Sequence, residues 1–63
     1  MKYRYTLEIL TYDGRTLHRT IEADNIQIEV GVIKFVSDGG DRWIPIAVYP
    51  SDKTIVTKRE NIK

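Results

Sequence analysis

The chain has 63 residues, 41% of them apolar, which corresponds to one domain near the lower size limit at which a hydrophobic core offsets the entropy of chain ordering. Ten lysine and arginine residues against nine aspartate and glutamate residues give a net charge of +1, which does not favour a dedicated nucleic-acid-binding protein. Because the chain contains no cysteine, disulfides, thiolate metal sites and cysteine nucleophiles are excluded, and we expect a cytoplasmic location.

Neither a signal peptide nor a membrane span is predicted. The N-terminal sequence MKYRYTLEIL carries charged residues at positions 2, 4 and 8, which interrupt the apolar stretch that a signal peptide needs. The longest uncharged stretch runs over residues 43–51 and contains two prolines. A bilayer requires about 20 predominantly apolar residues, so this stretch is too short to cross one.

The turn sequence LTYDGRT, residues 10–16, predicts the register of a first hairpin. A two-residue loop at Asp13-Gly14 would pair apolar with polar residues on every rung, whereas a three-residue loop, Tyr12-Asp13-Gly14, separates them. We therefore predict the three-residue loop, with Gly14 in the left-handed conformation, because a one-residue slip would turn the side chains of a strand to the other face. In this register Ile9 faces Leu17, Tyr5 faces Ile21, Tyr3 faces Ala23 and, on the other side of the sheet, Glu8 faces His18.

Alternating apolar and polar residues from Ile26 onward predict a second hairpin around Val30-Gly31. A two-residue loop pairs Ile28 with Ile33 and Ile26 with Phe35. Glycine at the second loop position suits a type II turn, because valine resists the positive φ that a type I′ turn would require.

The second half of the chain predicts a loop, a strand interrupted by proline, and a final short strand. The sequence SDGGD, residues 37–41, indicates a flexible loop. The sequence RWIPIAVYP, residues 42–50, is the densest apolar stretch, and Pro45 predicts that this strand is bent, bulged or at a sheet edge because proline lacks an N–H. A turn at residues 50–52 leads to a short strand through residues 55–56, after which apolar periodicity ends.

About six short strands in so few residues predict an all-β meander, which closes either as a small barrel of the SH3 type or as a compact two-sheet sandwich. We expect a single domain over residues 1–57, followed by a frayed basic tail over residues 58–63.

Catalytic residue combinations are not apparent. The single histidine, His18, is expected to form an exposed cross-strand pair with Glu8, with a pH-sensitive contact as the alternative. The DGGD sequence at residues 38–41 lacks the further carboxylates of a calcium loop and the lysine and helix of a phosphate loop, so a hairpin loop is the favoured interpretation. We therefore predict a protein that is not an enzyme and that binds neither a metal nor a cofactor.

The aromatic residues suggest a contact surface for another protein. Tyr3, Tyr5 and Phe35 fall on the predicted core face, which favours packing over binding. Because interface hot spots are rich in tryptophan, tyrosine and arginine, we predict a protein-interaction module that self-associates or docks on a larger protein partner. The predicted contact residues are Trp43, Tyr49, Tyr12 and Arg42.

A small nucleic-acid-binding β-barrel is the alternative function. Such a barrel would bind backbone phosphates through basic residues and stack bases on Trp43 or Tyr12. The near-neutral charge counts against this function unless the basic residues share one face. The residues concerned are Arg4, Arg15, Arg19, Lys34 and Arg42.

Overall fold

A computed structural model describes residues 2–63, which form six antiparallel strands and no helix. The predicted all-β class is confirmed. The strands are β1 (Tyr3–Leu10), β2 (Thr16–Ala23), β3 (Asn25–Glu29), β4 (Val32–Asp38), β5 (Trp43–Pro50) and β6 (Thr54–Asn61). A helix long and apolar enough to cross a bilayer is therefore absent from this part of the chain.

The six strands are divided between two three-stranded sheets. Sheet A has the strand order β2-β1-β6, and sheet B has the order β3-β4-β5. Of the two predicted architectures, the structure shows the sandwich rather than a closed SH3-like barrel. Asp24 alone separates β2 from β3, so the chain passes from one sheet to the other at this residue.

Both predicted hairpin registers are confirmed. In sheet A, Ile9 lies opposite Leu17 and Glu8 opposite His18. The Thr11 N–H donates to the Arg15 carbonyl at 2.7 Å across the three-residue loop, and Gly14 has a φ of 85°. In sheet B the pairs are Ile28 with Ile33, Ile26 with Phe35 and Gln27 with Lys34, and the loop glycine, Gly31, has a φ of 79°.

The core lies between the two sheets and is built around Phe35. Phe35 and Leu7 are both fully buried. The Tyr5 ring packs edge-on against Phe35 from the opposite sheet, with the ring centres 5.4 Å apart. The predicted core position of Tyr3, Tyr5 and Phe35 is confirmed, with Tyr3 half-buried at the margin.

The C-terminal residues differ from the sequence-based expectation of a frayed tail over residues 58–63. Strand β6 continues to Asn61, and its residues 58–61 pair with residues 3–6 of β1. The sequence shows no apolar periodicity here for two reasons. The register between β1 and β6 shifts at Thr57. The side chain that packs on Tyr3 is a cation, since the Arg59 guanidinium lies 4.8 Å from the centre of the Tyr3 ring. A bulge and a cation over an aromatic ring therefore replace alternation.

The predicted loop at residues 37–41 is shorter in the structure. Strand β4 continues through Asp38, whose N–H donates to the Asp24 carboxylate at 2.7 Å. The Gly39 N–H then donates to the Arg42 carbonyl at 2.9 Å, which closes a four-residue connection, residues 39–42, between β4 and β5. The alternation of apolar and polar residues does not reveal the contact between Asp24 and Asp38, because these residues are far apart in the sequence.

Candidate functional site

An apolar patch covers the outer face of sheet B, which points away from the core. Three side chains of β5 remain well exposed on it, with exposed fractions of 44% for Trp43, 43% for Ile46 and 50% for Val48. Strand β4 contributes its even-numbered side chains to this face because Ile33 and Phe35 point into the core. We define the outer patch as the surface formed by Val32, Trp43, Pro45, Ile46 and Val48.

A β-bulge in β5 concentrates apolar side chains at the centre of the outer patch. Phe35 lies opposite Ala47, whereas Val36 lies opposite Pro45, so Ile46 is the additional residue. Ala47 packs toward the core, which turns Ile46 outward, and Pro45 faces outward with its partner Val36. Two consecutive residues therefore flank Val36, which is only 1% exposed although it lies on the outer face.

Strand β5 lies at the edge of sheet B, as Pro45 predicted, and one end of this edge is blocked by Pro50. The Ser51 N–H donates to the Gly31 carbonyl at 3.0 Å. Hydrogen-bonded and non-hydrogen-bonded pairs alternate in an antiparallel ladder, so the next pair, Val32 with Pro50, is not hydrogen-bonded. The Pro50 nitrogen therefore points to the open side, where it offers no donor.

The same alternation places the second proline of β5 on the open edge. The pair of Gly39 with Arg42 is hydrogen-bonded, and three positions further along the ladder Val36 pairs with Pro45 without a hydrogen bond. The Pro45 nitrogen thus also points away from β4. The open edge of β5 has lost two N–H donors, while the face beside it remains apolar.

A surface cavity of about 510 Å³ lies beside Trp43, near both ends of the chain. Its lining residues are Lys2, Asp24, Asp38, Gly40, Trp43 and Lys63. The hydrogen bond from the Asp38 N–H holds the pKa of Asp24 below its ordinary value, with a smaller contribution from Lys2. Both acidic and basic residues line the cavity, so it does not present a single sign of charge to an ionic ligand.

Two of the four predicted contact residues are brought together by the structure. Arg42 is exposed in the turn that precedes β5 and adjoins Trp43. Tyr12 is fully exposed, but it lies at a hairpin tip of the other sheet. Tyr49 is half-buried on the core side, with its ring centre 6.1 Å from that of Phe35.

The basic residues of the alternative function are distributed over both sheets. Arg4 lies on the outer face of sheet A and Lys34 on the outer face of sheet B, while Arg19 is on β2 and Arg42 in the turn before β5. Three of the five cations lie beside a carboxylate: Arg4 with Glu22 at 3.3 Å, Arg15 with Asp13 at 3.4 Å and Lys34 with Glu29 at 3.1 Å.

The histidine and the acidic loop occupy ordinary structural positions. His18 is exposed opposite Glu8, as the register predicted. The Asp38 carboxylate accepts a hydrogen bond from the Gly40 N–H at 2.9 Å and so stabilises the turn. Within residues 2–63, no three histidine or acidic side chains are arranged to hold a metal ion.

Sequence reasoning selected Trp43 but missed Ile46 and Val48. A signal for them was present, because the stretch from Trp43 to Pro50 is apolar at both odd and even positions. Such a strand is either buried on both faces or exposes one apolar face. Proline within it favours an edge strand, and a chain of 63 residues is too short to cover both faces of every strand.

Comparison of the chain with protein-family models, curated proteins and solved structures gives no match. The fold and the outer patch are therefore the observations from which a function is argued.

Proposed function

We propose that this chain is a non-enzymatic protein-interaction module that binds its partner through the outer patch of sheet B. The observation that carries the proposal is that Trp43, Ile46 and Val48, which lie on the outer face of β5 by its register, are each more than 40% exposed. Contiguous exposed apolar surface on a small domain is typical of protein contact sites. Trp43 supplies an aromatic anchor of the kind that contributes most to binding energy.

The charges around the outer patch support this proposal. Strand β5 carries no ionisable residue between Trp43 and Val48. Lys34, which lies opposite Val48, is paired with Glu29 through a 3.1 Å contact and is only 28% exposed at its side chain. The centres of protein interfaces are likewise poor in unpaired charge. We propose that the module acts in the cytoplasm, which suits a chain without cysteine.

The same charges count against the nucleic-acid alternative. Phosphate binding requires cations that lie along one face or groove. Here Arg4 and Lys34 lie on opposite outer faces, and each contacts a carboxylate. A nucleic acid would have to displace these ion pairs and still meet few cations on either face.

A pull-down with matched variants tests the proposal. Tagged wild-type protein, Val48→Lys and Ile55→Lys are each incubated with native lysate, with and without nuclease. Ile55 is the control because it is 65% exposed on the outer face of sheet A, opposite Glu8. We expect a protein partner that survives nuclease, that is lost from Val48→Lys and that is retained by Ile55→Lys.

Two outcomes would contradict the proposal. Equal retention of the partner by Val48→Lys and the wild type would place the contact elsewhere. Recovery of nucleic acid, with all accompanying proteins lost on nuclease digestion, would favour the phosphate-binding alternative.

A further inference from the structure

The accessible surface area of the molecule is larger than expected for a folded monomer of its mass. Its accessible surface is 4605 Å² for 7.3 kDa. A folded monomer of this mass exposes about 4,200 Å², so the excess is about 400 Å². The radius of gyration, 12.0 Å, also exceeds the value of about 10.6 Å for a 63-residue domain. The molecule is therefore extended for its mass, and Trp43, Ile46 and Val48 give it exposed apolar surface that a second molecule can cover.

The sheet edges do not favour a partner that adds a strand. Each edge strand carries a feature that opposes such pairing. Strand β3 has only five residues and β2 bears charged side chains. The two remaining edges are interrupted: β5 at Pro45 and Pro50, and β6 by the bulge at Thr57. These features leave a sheet face as the surface on which a partner binds.

A second copy of this chain fits the outer patch on electrostatic grounds. In a dimer with twofold symmetry, a residue near the axis meets the same residue of its partner, so any net charge there repels itself. The outer patch contains only apolar residues, and the nearby Lys34 is neutralised within its own chain by Glu29 at 3.1 Å. The outer patch itself therefore meets its own copy without like-charge repulsion, and Asp38, which lies opposite Trp43, stands at its margin.

We propose that the outer patch binds the outer patch of a second copy, face to face about a twofold axis, so that the two B sheets stack in a homodimer. This inference rests on the proposed function, because it names the partner of the same surface. The stacked sheets lie about 10 Å apart, the usual separation of packed sheets. Ile46 and Val48 of each copy lie in the contact, whereas Ile55 lies on the far side of the molecule.

The surface area that each copy can bury indicates how stable this dimer can be. If each copy buried only its excess, the dimer would bury about 800 Å² in total, less than the roughly 1,200 to 2,000 Å² of stable complexes. A contact of this size is typical of weak, transient association, so we expect a dissociation constant in the micromolar to millimolar range. The oligomeric state has to be measured up to about 1 mM protein, where such a dimer is populated.

Chemical cross-linking tests the geometry, because the chain has no cysteine of its own. Ile46→Cys, Val48→Cys and the control Ile55→Cys are each treated with a short bismaleimide across a range of concentrations. Both outer-patch variants should form covalent dimers about tenfold faster than the control, since the paired interface raises the local thiol concentration. Sedimentation equilibrium of the wild type should show dimers that Val48→Lys loses and Ile55→Lys retains.

A wild type that stays monomeric up to about 1 mM, with cross-linking no faster than in Ile55→Cys, would overturn the homodimer. The pull-down then decides the proposed function separately, because a foreign partner lost only from Val48→Lys would keep the outer patch as a docking site. Faster cross-linking through Ile55→Cys would place the contact on sheet A and overturn both proposals.

Discussion

At the scale of single residues, Asp24 connects the two sheets. Its backbone N–H donates to the Val36 carbonyl at 2.9 Å, and its carboxylate accepts the Asp38 N–H at 2.7 Å. One residue therefore holds the end of β4 against the point where the chain changes sheets. A short acidic side chain suits this role, because it can accept a backbone N–H close to its own main chain.

Replacing Asp24 with asparagine is expected to lower the melting temperature at pH 7. The hydrogen bond from Asp38 holds the pKa of the Asp24 carboxyl below 3.8. A lowered pKa stabilises the folded protein when the pH is above the unfolded value, and this stability is lost as the pH falls through the folded pKa. The difference in melting temperature between the wild type and Asp24→Asn should therefore be largest at pH 7 and should decrease as the pH falls below 3.8.

Thermal unfolding from neutral to strongly acidic pH measures this difference. Asp41→Asn, which removes a carboxylate from the exposed turn before β5, controls for the change in net charge. If the difference in melting temperature between Asp24→Asn and the wild type did not vary with pH, the charge of Asp24 would not be what stabilises the passage from β2 to β3.

Thr54 offers a substitution that should increase stability. It is only 6% exposed, and its hydroxyl has no hydrogen-bond partner among residues 2–63. Valine has nearly the same shape without the hydroxyl, so Thr54→Val should raise the free energy of unfolding by about 1 kcal/mol in urea titrations. Thr57→Val is the matched control, because the Thr57 hydroxyl donates to the Thr6 carbonyl at 3.2 Å and its removal should give no gain.

At the scale of elements, the predictable parts of the fold are those with local rules. The register of both hairpins follows from alternation together with the glycines at 14 and 31, which adopt the positive φ that their turns require. The continuation of β6 was missed because a bulge at Thr57 and the contact of Arg59 with Tyr3 leave no alternation to read. Trp43 was found by residue type, whereas Ile46 joins the outer patch only through the register shift in β5.

Removing residues 58–63 tests the C-terminal half of β6 as an element. The deletion eliminates pairing with residues 3–6 of β1 and uncovers the Tyr3 ring, which lies 4.8 Å from the Arg59 guanidinium. Several backbone hydrogen bonds at 0.5 to 1.5 kcal/mol each predict a loss of at least about 2 kcal/mol in the free energy of unfolding. Deletion of Lys63 alone, beyond β6, is the control. An unchanged unfolding midpoint after the longer deletion would mean that residues 58–63 behave as a frayed tail and add no stability.

At the scale of the whole molecule, the sandwich buries one face of each sheet and leaves the other to the environment. The extents of the molecule, 39 × 25 × 12 Å, describe a flat body with a thin core. The outer face of sheet A is mostly polar, with Arg4 paired to Glu22, although Leu10 and Ile55 are also exposed on it. The outer face of sheet B is apolar at its centre. This asymmetry between the two outer faces is what a dimer through sheet B would use.

The stability of the protein should therefore depend on its concentration. A dimer that forms only from folded chains stabilises them, and above its dissociation constant each tenfold rise in concentration adds about 0.7 kcal/mol per chain. In a domain of this size, 1 kcal/mol shifts the melting temperature by about 4 to 8 °C, so we expect a rise of roughly 3 to 6 °C per tenfold concentration over the part of the range that lies above the dissociation constant. Calorimetry of the wild type from about 10 µM to about 1 mM protein measures this rise.

The same experiment with two variants separates association from folding. Val48 is 50% exposed in the isolated chain, so Val48→Lys should still fold when dilute, with a loss of up to about 1 kcal/mol because the new lysine lies opposite Lys34. In the dimer the new charge would be buried without a partner, so the dependence on concentration should disappear. Ile55→Lys, altered on the opposite outer face, should retain it. If the wild-type melting temperature were constant over the whole range, the excess surface of the molecule would not be covered by its own copy.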